Sequence, residues 1–147
     1  MPMAGLTGSD LMRHFQTVTD PYTGESWAAI AAIKPDWTIL HAHEADEAGN
    51  VQIYGAKYDD ILKAKAAAHV LVTCERLIPV AQTAAHPERT DLPGFLVDAV
   101  VEVPKGAWPH SCEGEYGYDE AFFRRYLAAA AGPDDAYRAF VAEVVGQ

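Results

Sequence analysis

The chain has 147 residues, is 50% hydrophobic, and carries 11 lysines and arginines against 21 aspartates and glutamates, for a net charge of −10. This length suits one domain with a substantial core, and the acidic balance argues against a nucleic-acid partner, whose phosphates need a basic surface. No apolar run approaches the ~20 residues that cross a bilayer, and the N-terminus does not resemble a signal peptide. We therefore expect a cytoplasmic protein without a membrane partner, and the two cysteines, which form no C-x-x-C pair, are typical of a reduced compartment.

The first 26 residues are punctuated by Gly and Pro, and only Ser9 to Phe15 could form a helical turn or two, with Ser9 as the N-cap. Trp27 to Ile33 is predicted to be a short apolar strand because Lys34-Pro35 closes it after seven residues.

A second strand is predicted from Trp37 to Ala42, which is apolar apart from Thr38. Polar residues cluster at its end and in the following segment, and a turn is predicted at Gly49-Asn50. In open α/β folds, ligands bind where strands emerge from the sheet. The polar residues placed there are His41, His43, Glu44, Asp46 and Glu47.

A helix from about Asp59 to His69 leads to a buried strand, Val70 to Glu75, and the pattern predicts a strand–helix–strand unit with parallel pairing. Residues 79–94 are predicted to be a surface excursion, and Leu96 to Val103 the next strand.

The C-terminal third begins with a long loop, Pro104 to Tyr118, of a length that is often functional or interfacial. Two helices follow, Asp119 to Ala131 and a second from Pro133 to about Val145. We predict a single α/β domain over residues 1–147, with a mostly parallel open sheet, flanking helices and a helical C-terminal hairpin.

His41-x-His43 invites a metal-site hypothesis, because imidazoles two apart on a strand point to the same side. A third ligand with recognisable spacing is missing, so we predict no metal. Cys112 beside His110, and Cys74 in a strand, are weak candidates for a nucleophile. Neither a G-x-S-x-G elbow nor a phosphate-binding glycine fingerprint is present.

Six segments in order resemble the A subunit of family I coenzyme A transferases of the glutaconate type. The central one is His41-Ala-His-Glu-Ala-Asp46-Glu-Ala-Gly49-Asn50-Val-Gln52. The others are Gly8 to Leu11, Asp20 to Glu25, Ala64 to Glu75, Pro93 to Val100, and Pro104 to Pro109 with Ser111-Cys112 and Tyr116 to Asp119. The family's subunit is longer, and this chain resembles its C-terminal half.

The resemblance implies a CoA-transferring enzyme, with coenzyme A as substrate and without a resident cofactor. A glutamate attacks the acyl-CoA thioester in such enzymes. In glutaconate-type enzymes it lies on the B subunit, so we place no catalytic residue in this chain and expect it to be inactive alone. Candidate substrate or interface residues are His41, His43, Glu44, Asp46, Asn50 and Glu75. The competing interpretation of Asp46 to Asn50 is a turn whose side chains satisfy backbone donors.

Alternatives are a CoA-thioester hydrolase of the same family and a non-catalytic assembly domain. Expected partners are a B-type subunit, the missing N-terminal half, and acyl-CoA with carboxylic acids. We also expect an oligomer, because the apolar strand Trp27 to Ile33 and the stretch Gly5 to Tyr22 would otherwise be left exposed.

Overall fold

The computed structural model describes residues 2–6 and 8–146. The chain divides after Pro35 into two compact units. In the first unit, strands β1 (Pro2–Met3), β2 (Gln16–Thr19) and β3 (Ser26–Ala29) form an antiparallel sheet in the order β1-β3-β2. The sequence does not predict this separate sheet. That residues 1–147 form a single domain stays a prediction.

The first unit differs from the sequence-based expectation in two respects. The strand predicted from Trp27 to Ile33 covers only Ser26–Ala29, and it is the central strand of its sheet rather than a free edge. Short 3₁₀ helices span Ala4–Leu6 and Asp10–His14, and the Ser9 hydroxyl donates to the Leu6 carbonyl instead of capping the second one.

The second unit contains a four-stranded sheet in the order β5-β4-β6-β7. Its strands are β4 (Trp37–Asp46), β5 (Val51–Gln52), β6 (His69–Ile78) and β7 (Ala99–Glu102). β4, β6 and β7 run parallel, and β5 returns antiparallel to β4. Helix α1 (Asp60–Ala66) connects β4 and β5 to β6. The predicted mostly parallel open sheet and the parallel pairing across a helix are confirmed.

The core of this unit lies against one face of the sheet. Even-numbered residues of β4 and β6 are buried there, including Leu40, Ala42, Val70, Val72 and Cys74. Side chains alternate along a strand, so the odd-numbered residues lie on the opposite face.

Strand ends differ from the predicted ones because both central strands continue past their apolar runs. β4 extends to Asp46 and β6 to Ile78, so the polar residues placed after the strands lie within them. Helix α1 ends at Ala66, three residues before the predicted end. The predicted surface excursion contains helix α2 (Val80–Ala85) and the buried residues Thr83 and Leu92. The predicted strand Leu96 to Val103 is confirmed for half of its length, Ala99–Glu102, whereas Leu96 lies in a 3₁₀ turn.

The predicted C-terminal hairpin is confirmed as helices α3 (Glu120–Ala130) and α4 (Asp134–Val145). Asp119 caps α3 by accepting from the Phe122 amide. Phe122 of α3 packs against Phe140 of α4 with ring centroids 5.4 Å apart. The loop before them, Pro104 to Tyr118, contains turns and one isolated bridge between Cys112 and Tyr116.

Candidate functional site

A hydrogen-bonded cluster centred on Glu75 lies toward the carboxyl ends of β4 and β6. One oxygen of the Glu75 carboxylate, Oε1, lies 2.7 Å from His41 Nε2 and accepts from the Tyr116 hydroxyl at 2.7 Å. The other, Oε2, accepts from the Lys105 amide at 2.8 Å. Glu75 therefore links both central strands to the loop Pro104 to Tyr118.

The pKa of Glu75 is set by two opposing effects. Burial alone raises it, but hydrogen bonds from the Lys105 amide, Tyr116 and His41 outweigh burial and hold the pKa below its usual range. The same contact acts oppositely on Tyr116, whose pKa is raised to about 12 by burial and by the Glu75 carboxylate. At neutral pH the pair is a carboxylate and a neutral phenol.

His41 is held on both ring nitrogens. Its Nε2 faces Glu75, and its Nδ1 lies 2.8 Å from the Thr73 hydroxyl, which also lies 3.3 Å from the Leu40 carbonyl. Because a hydroxyl can donate or accept, Thr73 can partner either protonation state of Nδ1. Both ring nitrogens of His41 therefore have a hydrogen-bond partner. Gly106 packs against this ring, and a Cβ there would lie 2.7 Å from it.

His43 is fixed as one neutral tautomer. The Tyr54 amide can only donate, and it lies 3.1 Å from His43 Nδ1, so Nε2 carries the proton and donates to the Glu113 carbonyl at 2.8 Å. The Cys112 sulfur lies 3.5 Å from the same Nε2. Burial raises the pKa of the Cys112 thiol, which disfavours the thiolate that a nucleophile needs.

Glu44 lies on the opposite face of β4, in a second polar cluster. Its carboxylate accepts from Tyr54 at 2.5 Å and from Arg76 at 3.2 Å. Arg76 also pairs with Glu115 at 2.7 Å, which is a further contact between the loop and the sheet. Burial and the Glu44 carboxylate raise the pKa of Tyr54 to about 12.

Asp46 and Asn50 form a closed turn. The Asp46 side chain is 0% exposed, and it accepts from the amides of Ala48 and Asn50, the Asn50 side-chain amide and the Thr83 hydroxyl. Burial raises the pKa of Asp46, but these donors outweigh it and lower the pKa. Gly49 in this turn has φ +85°, a conformation that favours glycine. This geometry supports the turn interpretation over direct substrate contact by Asp46.

The lowered pKa of Asp46 predicts how the free energy of unfolding depends on pH. A carboxylate with a lowered folded pKa stabilises the fold above its unfolded pKa of about 3.9, and this contribution is lost as pH falls through the folded value. We expect the unfolding free energy to decline more steeply below pH 4 in the native chain than in Asp46→Asn. Urea unfolding at a series of acidic pH values measures both slopes, and equal slopes would contradict the assignment.

Three potential metal ligands converge in the Glu75 cluster. Atoms of His41, Glu75 and Cys112 lie within 4.8 Å of one another, a different set from the His41 and His43 pair considered from sequence. The Glu75 oxygens already accept from Lys105, Tyr116 and His41, so a cation would have to displace a donor. The prediction of no metal stays a prediction.

The candidate residues thus fall into three groups. His41 and Glu75 share one hydrogen-bonded cluster, with His43 beside it; Glu44 lies on the other face; and Asp46 with Asn50 forms the turn. Sequence reasoning missed five partners of these residues: Tyr54, Thr73, Arg76, Thr83 and Tyr116. Thr73 contacts the His41 ring and the other four contact carboxylates, at separations of 10 to 41 positions along the chain. The parallel register, which pairs His41 with Thr73 and Glu44 with Arg76, could have pointed to two of them.

Several known proteins resemble this chain in both sequence and fold. The profile of the family described as coenzyme A transferase matches residues 6–103. The chain belongs to the coenzyme A transferase family. It is 37% identical over 132 residues to the A subunit of glutaconate CoA-transferase from Acidaminococcus fermentans, covering 89% of this chain and 41% of that protein. The crystal structure of that organism's glutaconate coenzyme A-transferase superposes with a TM-score of 0.90 at 31% identity, over 97% of this chain and 51% of the other.

A hydrolase subunit is also among the relatives of this chain. The cholesterol ring-cleaving hydrolase IpdA subunit of Rhodococcus jostii is 32% identical over 154 residues, covering 97% of this chain and 52% of that subunit. The chain therefore spans about half the length of the curated relatives it matches. None of the helices in the described residues is long and apolar enough to cross a membrane.

Proposed function

We propose that this chain is part of an A-type subunit of an enzyme that moves CoA between carboxylic acids. The observation that carries this proposal is the 37% identity to the A subunit of glutaconate CoA-transferase, together with the TM-score of 0.90 to the enzyme's structure. Coenzyme A is then a substrate rather than a resident cofactor. The enzyme is expected in the cytoplasm as a hetero-oligomer with a B-type subunit.

The proposed chemistry is nucleophilic attack by a glutamate on the acyl-CoA thioester. The attack gives a mixed anhydride and releases CoA, which then forms a thioester with the glutamate while the carboxylic acid leaves. We propose that this glutamate belongs to the B-type partner, as the family resemblance implies. This chain then closes the site from the other side.

The buried carboxylates of this chain support that division of roles. Glu75 accepts three hydrogen bonds, Glu44 is engaged by Tyr54 and Arg76, and Asp46 is fully buried with four donors. A nucleophile needs an oxygen that can approach a thioester carbon, and none of these three presents one without breaking its contacts. We assign them to positioning the loop and the turn.

The loop Pro104 to Tyr118 is the proposed contribution of this chain to the site. It is tied to the strand ends through Glu75, through His43 to the Glu113 carbonyl, and through Arg76 to Glu115. Open α/β sheets bind ligands at this edge. We propose that His41, His43, Glu44 and Glu75 fix the loop there and that Asp46 and Asn50 fix the adjoining turn.

The hydrolase function is the second candidate, and the IpdA relative is the observation that favours it. In a hydrolase, water would take the place of the acceptor acid. A non-catalytic assembly role is the third.

The activity of a hybrid subunit distinguishes the three candidate functions. This chain replaces the matched 132-residue segment of the Acidaminococcus A-type protein, which is then assembled with that enzyme's B-type partner. We expect transfer of CoA from an acyl-CoA to glutaconate. CoA release that needs no acceptor acid would favour the hydrolase, and an assembled but inert hybrid would favour the assembly role.

A further inference from the structure

One face of the four-stranded sheet carries a row of exposed apolar side chains. Trp37 is 59% exposed, Ile39 69% and Val101 46%. The strand register places Ile39 beside Leu71 and Ala99, and His41 beside Thr73 and Val101, so these residues form neighbouring rows on one surface. We call the surface formed by Trp37, Ile39, Leu71, Ala99 and Val101 the open face.

The open face is unusual for strands that pair in parallel. β4, β6 and β7 are parallel, and parallel sheets occur almost only where both faces are covered, because their crossover connections place helices there. The opposite face follows this rule, with Leu40, Val70 and Val72 buried in the core. Among residues 36–146, the described part of the second unit, the open face lacks the second layer that such a sheet requires.

The lengths of the relatives indicate what that layer is. This chain superposes almost completely on the Acidaminococcus structure yet covers only 51% of that chain, and it covers 52% of the IpdA subunit. The fold of the relatives therefore contains a comparable length of polypeptide that this chain does not span.

β7 is the last strand of the sheet in the described part of the chain, which leaves a strand edge beside the open face. The outer edge of β7 and the open face are continuous at Ala99 and Val101, so one polypeptide could cover both.

We propose that the open face binds the polypeptide that corresponds to the other half of the relatives' A-type subunit, and that this polypeptide covers it with helices. The inference rests on the proposed role as part of a larger A-type subunit. The proposal is the same whether the two halves of the subunit belong to one polypeptide or to two. A second copy of this chain is the competing occupant, and the net charge of −10 on each copy opposes that pairing.

Thiol labelling tests the occupant. Ile39→Cys and Val101→Cys are prepared in the chain alone and in the hybrid subunit, with Leu62→Cys on α1 as the control because Leu62 is 70% exposed on a different element. The native Cys74 and Cys112 are buried. We expect both face positions to react with a maleimide at least about tenfold more slowly in the hybrid than in the chain alone, as buried sites do, with Leu62→Cys little changed.

Equal labelling in the two proteins, or equal protection of all three positions, would overturn the proposal. Sedimentation of the chain alone gives a measurement that does not depend on the hybrid folding. A monomer with readily labelled face positions supports the proposal, whereas a dimer that Val101→Asp dissociates identifies a second copy as the occupant and overturns it. Labelling does not require catalysis. A hybrid whose face positions are protected but which is inactive would therefore contradict the proposed function and leave the proposed occupant of the open face supported.

Discussion

Asp46→Ala is expected to be among the most destabilising single substitutions in this chain. The side chain is 0% exposed and accepts hydrogen bonds from two backbone amides, the Asn50 amide group and the Thr83 hydroxyl. Removing it leaves the three amide donors without this acceptor in a buried site, although Thr83 keeps the Val80 carbonyl at 2.8 Å. We expect a cost of about 3–5 kcal/mol. Urea unfolding at neutral pH measures the loss.

Glu47→Ala is the matched control, because Glu47 is the next residue and is exposed. We expect it to change the unfolding free energy by less than about 0.5 kcal/mol, as surface substitutions usually do. An Asp46→Ala variant as stable as the control would show that the turn does not depend on this carboxylate.

Glu75→Ala is expected to release the loop Pro104 to Tyr118 from the sheet. Glu75 is the shared acceptor for the Lys105 amide, the Tyr116 hydroxyl and His41. Its loss should destabilise the fold by about 2–4 kcal/mol, because a buried network loses its acceptor. Hydrogen exchange should accelerate at the Lys105 amide and through the loop.

Tyr116→Phe is the comparison for this prediction, because it removes one contact of the loop and leaves the Glu75 carboxylate in place. The Tyr116 hydroxyl accepts from the Ala107 amide at 3.0 Å, whereas the Lys105 amide donates directly to Glu75. We expect Tyr116→Phe to accelerate exchange at Ala107 while sparing Lys105. Unchanged exchange at both amides in Glu75→Ala would rule out the carboxylate as the anchor of the loop.

The elements with strong periodicity could be predicted from the sequence. The apolar runs of β4 and β6, the intervening helix and the two C-terminal helices follow from local patterns. Strand ends could not be predicted in this way. His43, Glu44 and Asp46 look like the start of a loop, but each is buried in β4 because partners from elsewhere satisfy it.

The candidate site depended in the same way on contacts between distant residues. Asp46 and Asn50 could be recognised as a turn, because they are close in sequence and of the types that favour turns. The pairing of Glu75 with Tyr116 spans 41 residues, and that of Glu44 with Arg76 spans 32. No local pattern encodes such pairs, and the open face could be identified only once the register had fixed which residues share a surface.

The position of the CoA adduct tests the proposed division of roles most directly. The hybrid subunit, assembled with the Acidaminococcus B-type partner, is incubated with an acyl-CoA, and the covalent CoA or acyl adduct is located by peptide mass spectrometry. We expect an adduct on a glutamate of the B-type partner and none within the residues of this chain. An adduct on Glu75, Glu44 or another carboxylate of this chain would contradict the proposed roles.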